Sequence, residues 1–232
     1  MNAVVVEIEE GLLEKVGEIF RKLKKDVKIY FFVDTENECK YCEDILYILK
    51  SLAGLSDKIT IIERDHKSEE VKKYNIPMFP AILIHGAEEY NVRFFGIPAG
   101  YEFGALVEDI VDISTREPEV EPKIAKIVQN IEKPVWIKVF VTPTCPYCPI
   151  AARTAHKFAI LNTNITSDVI EAMEFTELAD KYGVYAVPKI IINDKVEFEG
   201  AVPDSFFLAK ILEALDKEIP KILIDEHHSH ET

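Results

Sequence analysis

Apolar positions along the chain repeat with two periods. Residues 27–33 (VKIYFFV) and 134–141 (PVWIKVFV) are almost continuous apolar runs, rich in β-branched and aromatic side chains and bounded by polar loops, which predicts buried strands. Residues 58–63 and 165–170 alternate in a strand-like way. The pairs 81–85/91–96 and 189–193/196–200 read as hairpins, the second turning through Asn193-Asp194. Helical spacing marks 11–24 (Leu12, Leu13, Val16, Ile19, Phe20, Leu23), 43–53, 102–113, 122–131, 149–161 and 204–217. Tyr30, Phe31, Phe32, Trp136 and Phe140 are expected in the core.

The pattern occurs twice. "DVKIYFFVDTENECKYCEDILYILKSLA" is answered by "KPVWIKVFVTPTCPYCPIAARTAHKFA", and "KKYNIPMFPAILIHG" by "DKYGVYAVPKIIIND". Cys39/Cys145, Pro80/Pro188 and Gly96/Gly200 recur in the same order at nearly constant offset, the signature of an internal duplication. "STREPEVEP" at 114–122, charged and carrying two prolines, reads as a short linker. Two units follow, 1–117 and 118–232. Each mixes helices with parallel crossovers and a hairpin, which implies an α/β unit with a mixed sheet.

Composition narrows the function classes. With 48% hydrophobic and 29% charged residues the chain is globular in type. A net charge of −14 argues against nucleic acid or an anionic membrane as partner. No apolar run is long enough to span a bilayer, and "MNAVVVEIEE" lacks the basic flank and apolar stretch of a signal peptide, so a soluble, cytoplasmic protein is expected. Glutamine occurs once, at Gln129, beside abundant Glu, Lys, Ile and Val, a bias of proteins from very hot environments. That bears on the cysteines, because hyperthermophile cytosols tolerate disulfides that other cytosols reduce.

The four cysteines form two Cys-x-x-Cys pairs, each opening a helix after a buried strand. Thiol–disulfide exchange requires a thiolate, and a helix N-terminus favours one through its unpaired N–H groups and dipole. Cys145 is placed just before a helix, and Cys148 lies on the same side of the first turn, near enough for a disulfide. Pro146 is expected in that turn, where a missing N–H costs little, and Pro149 is expected to stiffen it. Acids crowd the first pair (Asp34, Glu36, Glu38, Glu43, Asp44, against Lys40), whereas Arg153, His156 and Lys157 follow the second. Negative neighbours disfavour a thiolate, so Cys145 is expected to be the faster nucleophile. Tyr41 and Tyr147, inside the motifs, are expected to form an apolar rim for clients.

Each half resembles the thioredoxin fold, and "CPYC" is the tetrapeptide typical of glutaredoxins. Two such units in one acidic chain look like the protein disulfide oxidoreductases of hyperthermophilic archaea and bacteria. The resemblance implies two tandem units, each a mixed central sheet flanked by helices. It makes Cys39 and Cys145 the attacking sulfurs and Cys42 and Cys148 the resolving ones. It makes Pro80 and Pro188 cis-prolines facing the cysteines, in preference to Pro77, with Phe79 and Val187 offering backbone to a client strand. It implies protein dithiol and disulfide substrates, and no bound organic cofactor or metal. The sequence departs from many thioredoxins at Val33 and Val139, where those carry a buried acid. Asp34, Glu63, Glu171 and Glu174 are the unranked candidates for proton acceptor.

Three other readings compete. One is a dithiol electron donor to a peroxidase, itself reduced by a flavin-dependent disulfide reductase. Another is a four-thiolate metal site, but such pairs are typically about 15–20 residues apart, and here residues 43–144 intervene. The third is a client-recruiting module. His227, His228 and His230 in the tail suggest a weak metal site or, more simply, a solvated terminus.

Overall fold

The computed structural model describes residues 7–221 and 223; His227, His228 and His230 lie outside the described residues. The elements run α1 (Glu10–Phe20), β1 (Val27–Val33), α2 (Cys42–Ala53), β2 (Ile59–Asp65), α3 (Glu69–Lys73), β3 (Ala81–His85), β4 (Val92–Phe95) and α4 (Glu102–Thr115). They continue α5 (Pro122–Gln129), β5 (Val135–Val141), α6 (Cys148–Leu161), β6 (Ile165–Glu171), α7 (Thr176–Lys181), β7 (Lys189–Ile192), β8 (Val196–Glu199) and α8 (Asp204–Ala214).

One eight-stranded sheet holds both halves, in the order β2-β1-β3-β4-β6-β5-β7-β8. The second four strands repeat the order of the first. In each half the first two strands are parallel and the third and fourth antiparallel, the topology of a thioredoxin-fold unit. The units join head to tail through parallel pairing of β4 with β6, Phe95 opposite Ile170. Consequently β1, β2, β4, β5, β6 and β8 point one way, and both Cys-x-x-Cys motifs lie at the same end of the sheet.

Alternation along the strands feeds two apolar layers. Ile29, Phe31, Ile82, Ile84, Ile137 and Val139 face the larger helical layer. Phe32, Leu83, Phe95, Phe140 and Ile170 face α3 and α7. Phe31, Phe32 and Phe140 are core, as expected, whereas Tyr30 and Trp136 are only half-buried. Asn193 and Asp194 both take positive φ, as the predicted two-residue turn demands.

Polar contacts lock the seam between halves. Arg93 of β4 meets Asp168 of β6 through two bonds, 2.6 and 3.0 Å long, with both side chains buried. The Trp136 indole N–H donates to the same carboxylate at 2.6 Å. Between α4 and α6, His156 Nδ1 lies 2.6 Å from Asp109, and Arg153 pairs with Glu108, Asp109 and Asp112. Buried charges of this kind need such partners, since an unpaired one is costly.

Candidate active sites

Each cysteine pair closes on itself: Cys39 with Cys42 and Cys145 with Cys148, at Cα separations of 5.6 and 5.4 Å. The two pairs are bonded separately, and the described residues hold no cluster of three or more His, Cys, Asp and Glu of metal-site type. Cys42 and Cys148 are the first residues of α2 and α6. Each helix thus begins at the second cysteine, and Pro146 falls in the turn before the helix rather than within its first turn. Pro149 occupies the first turn of α6, where no i−4 carbonyl needs its missing N–H.

The second site is closed and apolar. Cys145 is 8% exposed and Cys148 fully buried. The Cys148 N–H donates to Cys145 Sγ at 3.1 Å, so the helix terminus delivers a donor to that sulfur. Val187–Pro188 is a cis peptide bond, and the Val187 carbonyl oxygen lies 3.7 Å from Cys145 Sγ. Tyr147 is 63% exposed, and Ile150, Tyr101 and Tyr185 are also exposed.

The first site is more open at sulfur. Cys39 and Cys42 are half-buried. Phe79–Pro80 is the other cis bond; Pro77 is not cis. Tyr41 is half-buried against the core with the Lys40 ammonium 4.7 Å from its ring centre, so it is less of an exposed rim than Tyr147. Asp34 accepts from the Asn37 side chain at 2.6 Å and the Glu36 amide at 2.9 Å, which holds its carboxyl below the usual range.

Charges differ from those the sequence suggested. Arg153 and His156 are engaged with α4 acids and Lys157 with Asp204 at 3.1 Å, so these side chains do not stand free beside Cys145. The proton-acceptor candidates also separate. Glu63 pairs with Lys50 at the surface of β2. Glu171 and Glu174, although in the second half, line a cavity of about 470 Å³ with Asp34 and Cys39 of the first. Burial pushes the Glu171 carboxyl up and Glu174 up to about 7.

One acid escaped sequence reasoning. Glu102 of α4 is buried, neither carboxylate oxygen has a hydrogen-bond partner among the described residues, and burial, reinforced by Asp109, pushes it up to about 8. Helices α4 and α6 run parallel: the Tyr101 amide donates to the Pro143 carbonyl, and two turns on, Asp109 meets His156. That register puts Glu102 at the level of the Cys145–Cys148 turn. The signal was present: Glu102 and Asp109 lie on the apolar face of α4, in step with Ala105, Leu106, Ile110 and Ile113.

Residues 135–213 match the thioredoxin domain model. The crystal structure of a protein disulfide oxidoreductase from Aeropyrum pernix superposes with a TM-score of 0.84 and 29% identity, covering 95% of this chain and 100% of that one. The N-terminal domain of alkylhydroperoxide reductase from Enterococcus faecalis superposes at 0.80 with 24% identity, covering 90% of this chain and 100% of that one. Among curated proteins, an alkyl hydroperoxide reductase component of Staphylococcus epidermidis is 25% identical over 204 residues, 88% of this chain but 38% of that protein. An NADH dehydrogenase of Ferdinandcohnia aciditolerans is 26% identical over 205 residues, 88% of this chain and 37% of that protein. The chain therefore spans well under half the length of these curated relatives. In two tandem thioredoxin-fold units, each with its own Cys-x-x-Cys pair, this chain has a thiol–disulfide oxidoreductase fold that resembles protein disulfide oxidoreductase over nearly its whole length.

Proposed function

We propose that the chain exchanges dithiols and disulfides in protein substrates, with residues 1–117 carrying the Cys39–Cys42 site and 118–232 the Cys145–Cys148 site. The observation that carries this reading is the juxtaposition of Cys145 Sγ, the Cys148 amide and the Val187 carbonyl. A thiolate at Cys145 gains the Cys148 N–H and the positive end of α6. It attacks a client disulfide sulfur, forming a mixed disulfide and releasing one client thiolate. Cys148 then attacks Cys145 and releases the second. The client gains two electrons; the site loses two. Val187, next to cis-Pro188, offers backbone for strand-like pairing with the client segment that carries the cysteine. Phe79 and Pro80 line the Cys39 cavity and contact the client there, and Tyr147 is the apolar contact beside Cys145, with Tyr41 a smaller one beside Cys39. Glu102, buried at the level of Cys148, accepts the proton from that thiol. Cys145 remains the faster nucleophile, because the acids lining the Cys39 cavity disfavour a thiolate there.

A second reading draws on the likeness to alkyl hydroperoxide reductase. Here the dithiols pass electrons to a peroxidase and are refilled by a flavin-dependent disulfide reductase. Both readings share the cysteine chemistry and differ in clients. The separating experiment compares dithiothreitol-driven reduction of insulin with reduction of a peroxidase disulfide. For the first reading, replacing Cys145 and Cys148 by serine lowers insulin reduction at least about tenfold, a rise of ~1.4 kcal/mol in the barrier. The Cys39→Ser/Cys42→Ser change lowers it less. Insulin reduction that persists after all four replacements overturns the reading.

A further inference from the structure

We infer that the Cys39–Cys42 site selects compact disulfides carrying positive charge beside the sulfur, and that Glu171 and Glu174 of the second unit set this preference. The inference deepens the exchange reading and rests on it.

The repeat supplies a control for the geometry. Gly96 and Gly200 occupy equivalent places after the fourth strand of each unit, with φ of 87° and 90°, and their amides donate to the carbonyls of Pro80 and Pro188. A Cβ built on Gly96 would lie 2.6 Å from Glu174 Oε1 and 2.8 Å from Glu171 Cβ; one built on Gly200 meets none of the described residues within 4 Å. The edge beside cis-Pro80 is therefore walled by the other unit, and the edge beside cis-Pro188 is open. Glu174 Oε1 also accepts the Ile97 N–H at 2.6 Å, removing a donor that an extended client strand would need. A long polypeptide fits the open edge; a short or loop-borne disulfide fits the walled one.

The wall is acidic and points inward. Glu171 is 4% exposed, its Oε1 has no hydrogen-bond partner among the described residues, and the residue lines the cavity that holds Cys39. Its Oε2 accepts the Glu174 amide at 2.6 Å, so the two carboxyls are held as one rigid turn. Asp34 and Glu38 face them from the first unit, with Lys40 the one cation of the lining among the described residues. Burial makes both second-unit carboxyls reluctant to ionise, Glu174 until about pH 7. A client cation entering the cavity relieves that penalty, and in a partly buried site the attraction exceeds its value in water. An anionic client meets repulsion.

The test uses full-length Cys145→Ser/Cys148→Ser and Cys39→Ser/Cys42→Ser proteins, reduced, then mixed with cystamine (cationic) or dithiodiglycolate (anionic) at about pH 8, where Glu174 is ionised. In each reaction Cys39 or Cys145 attacks, its partner resolves, two small thiols leave and the site becomes a disulfide. The rate ratio, cystamine to dithiodiglycolate, is expected to be roughly tenfold larger at Cys39 than at Cys145. Glu171→Gln/Glu174→Gln in the first protein should bring it down toward the Cys145 value, and Glu174→Gln alone, which keeps an acceptor for the Ile97 amide, should do so in part. High salt should also shrink it, without any substitution. Equal ratios at the two sites, or a ratio untouched by the glutamines and by salt, overturn the inference while leaving exchange intact. Failure of either reduced protein to react with both disulfides overturns the exchange reading itself.

Discussion

The loop after β4 and the loop after β8 are the same loop twice, in opposite surroundings. β4 is buried throughout against β6, whereas β8 alternates between half-buried Val196 and Phe198 and exposed Glu197 and Glu199. β6 is likewise almost wholly buried, while its counterpart β2 is mostly half-exposed. Head-to-tail joining forces this. Two like units in one sheet must bury one unit's last edge and the other's first, leaving the remaining two free. Duplicated sequences thereby acquire different sites without any change in the cysteines.

The largest way to break the comparison is to open the seam. Arg93→Leu leaves Asp168 buried with Trp136 its one remaining side-chain donor among the described residues, and removing one partner of a buried pair costs about 3–5 kcal/mol. Chemical denaturation should show the loss. Because β4 leads directly into Gly96 and β6 ends on Glu171, alkylation of reduced Cys39 should accelerate relative to Cys145 in the same variant. A stability change below about 1 kcal/mol would argue that the seam is held by its apolar contacts instead.

The next effect isolates the wall. Gly96→Ala and Gly200→Ala both force a side chain into the left-handed region, so that strain is common to the two. Only Gly96→Ala also drives a methyl into the Glu171–Glu174 turn. The difference between the two variants should be about 1–3 kcal/mol, the ordinary cost of overpacking a tight site. Thermal unfolding of both, measured side by side, reads it directly.

Much of this architecture is legible in the sequence alone. The apolar runs of β1 and β5, the Asn193-Asp194 turn and the placement of both Cys-x-x-Cys pairs at helix starts follow from local period and turn chemistry. Pro80 rather than Pro77 follows from the internal repeat. What local pattern does not carry is which edges meet. The β4–β6 pairing joins segments some seventy residues apart, as Asn91 and Thr163 are, and no periodicity encodes that choice. Hence sequence alone leaves Glu171 and Glu174 as two names among four candidates, and makes Arg153 and His156 look free beside Cys145 when acids of α4 in fact hold both. Tyr30 and Trp136 have strand positions of core type, yet Trp136 turns its indole N–H to Asp168 and stays half-exposed.

The smallest effect per unit change sharpens the contrast between the two sites through Glu102, buried beside the second. Glu102 is pushed up to about 8, well above its value in an unfolded chain. Between the unfolded pKa and about 8 the unfolded state releases a proton that the folded state keeps. Stability contributed by protonated Glu102 is therefore complete below the unfolded value and is lost as pH rises toward 8, at a limiting slope of about 1.4 kcal/mol per pH unit. Glu102→Gln removes that slope: the variant should match the parent near pH 4 and exceed it near pH 8, as read from denaturant midpoints. The same substitution should slow turnover at Cys145–Cys148 and flatten its pH profile while sparing Cys39–Cys42, because the α4–α6 register sets Glu102 level with the second cysteine pair. A Glu102→Gln protein with an unchanged stability profile but altered turnover would mean the carboxyl is already hydrated when folded; the reverse would make it a structural acid with no part in the proton's path.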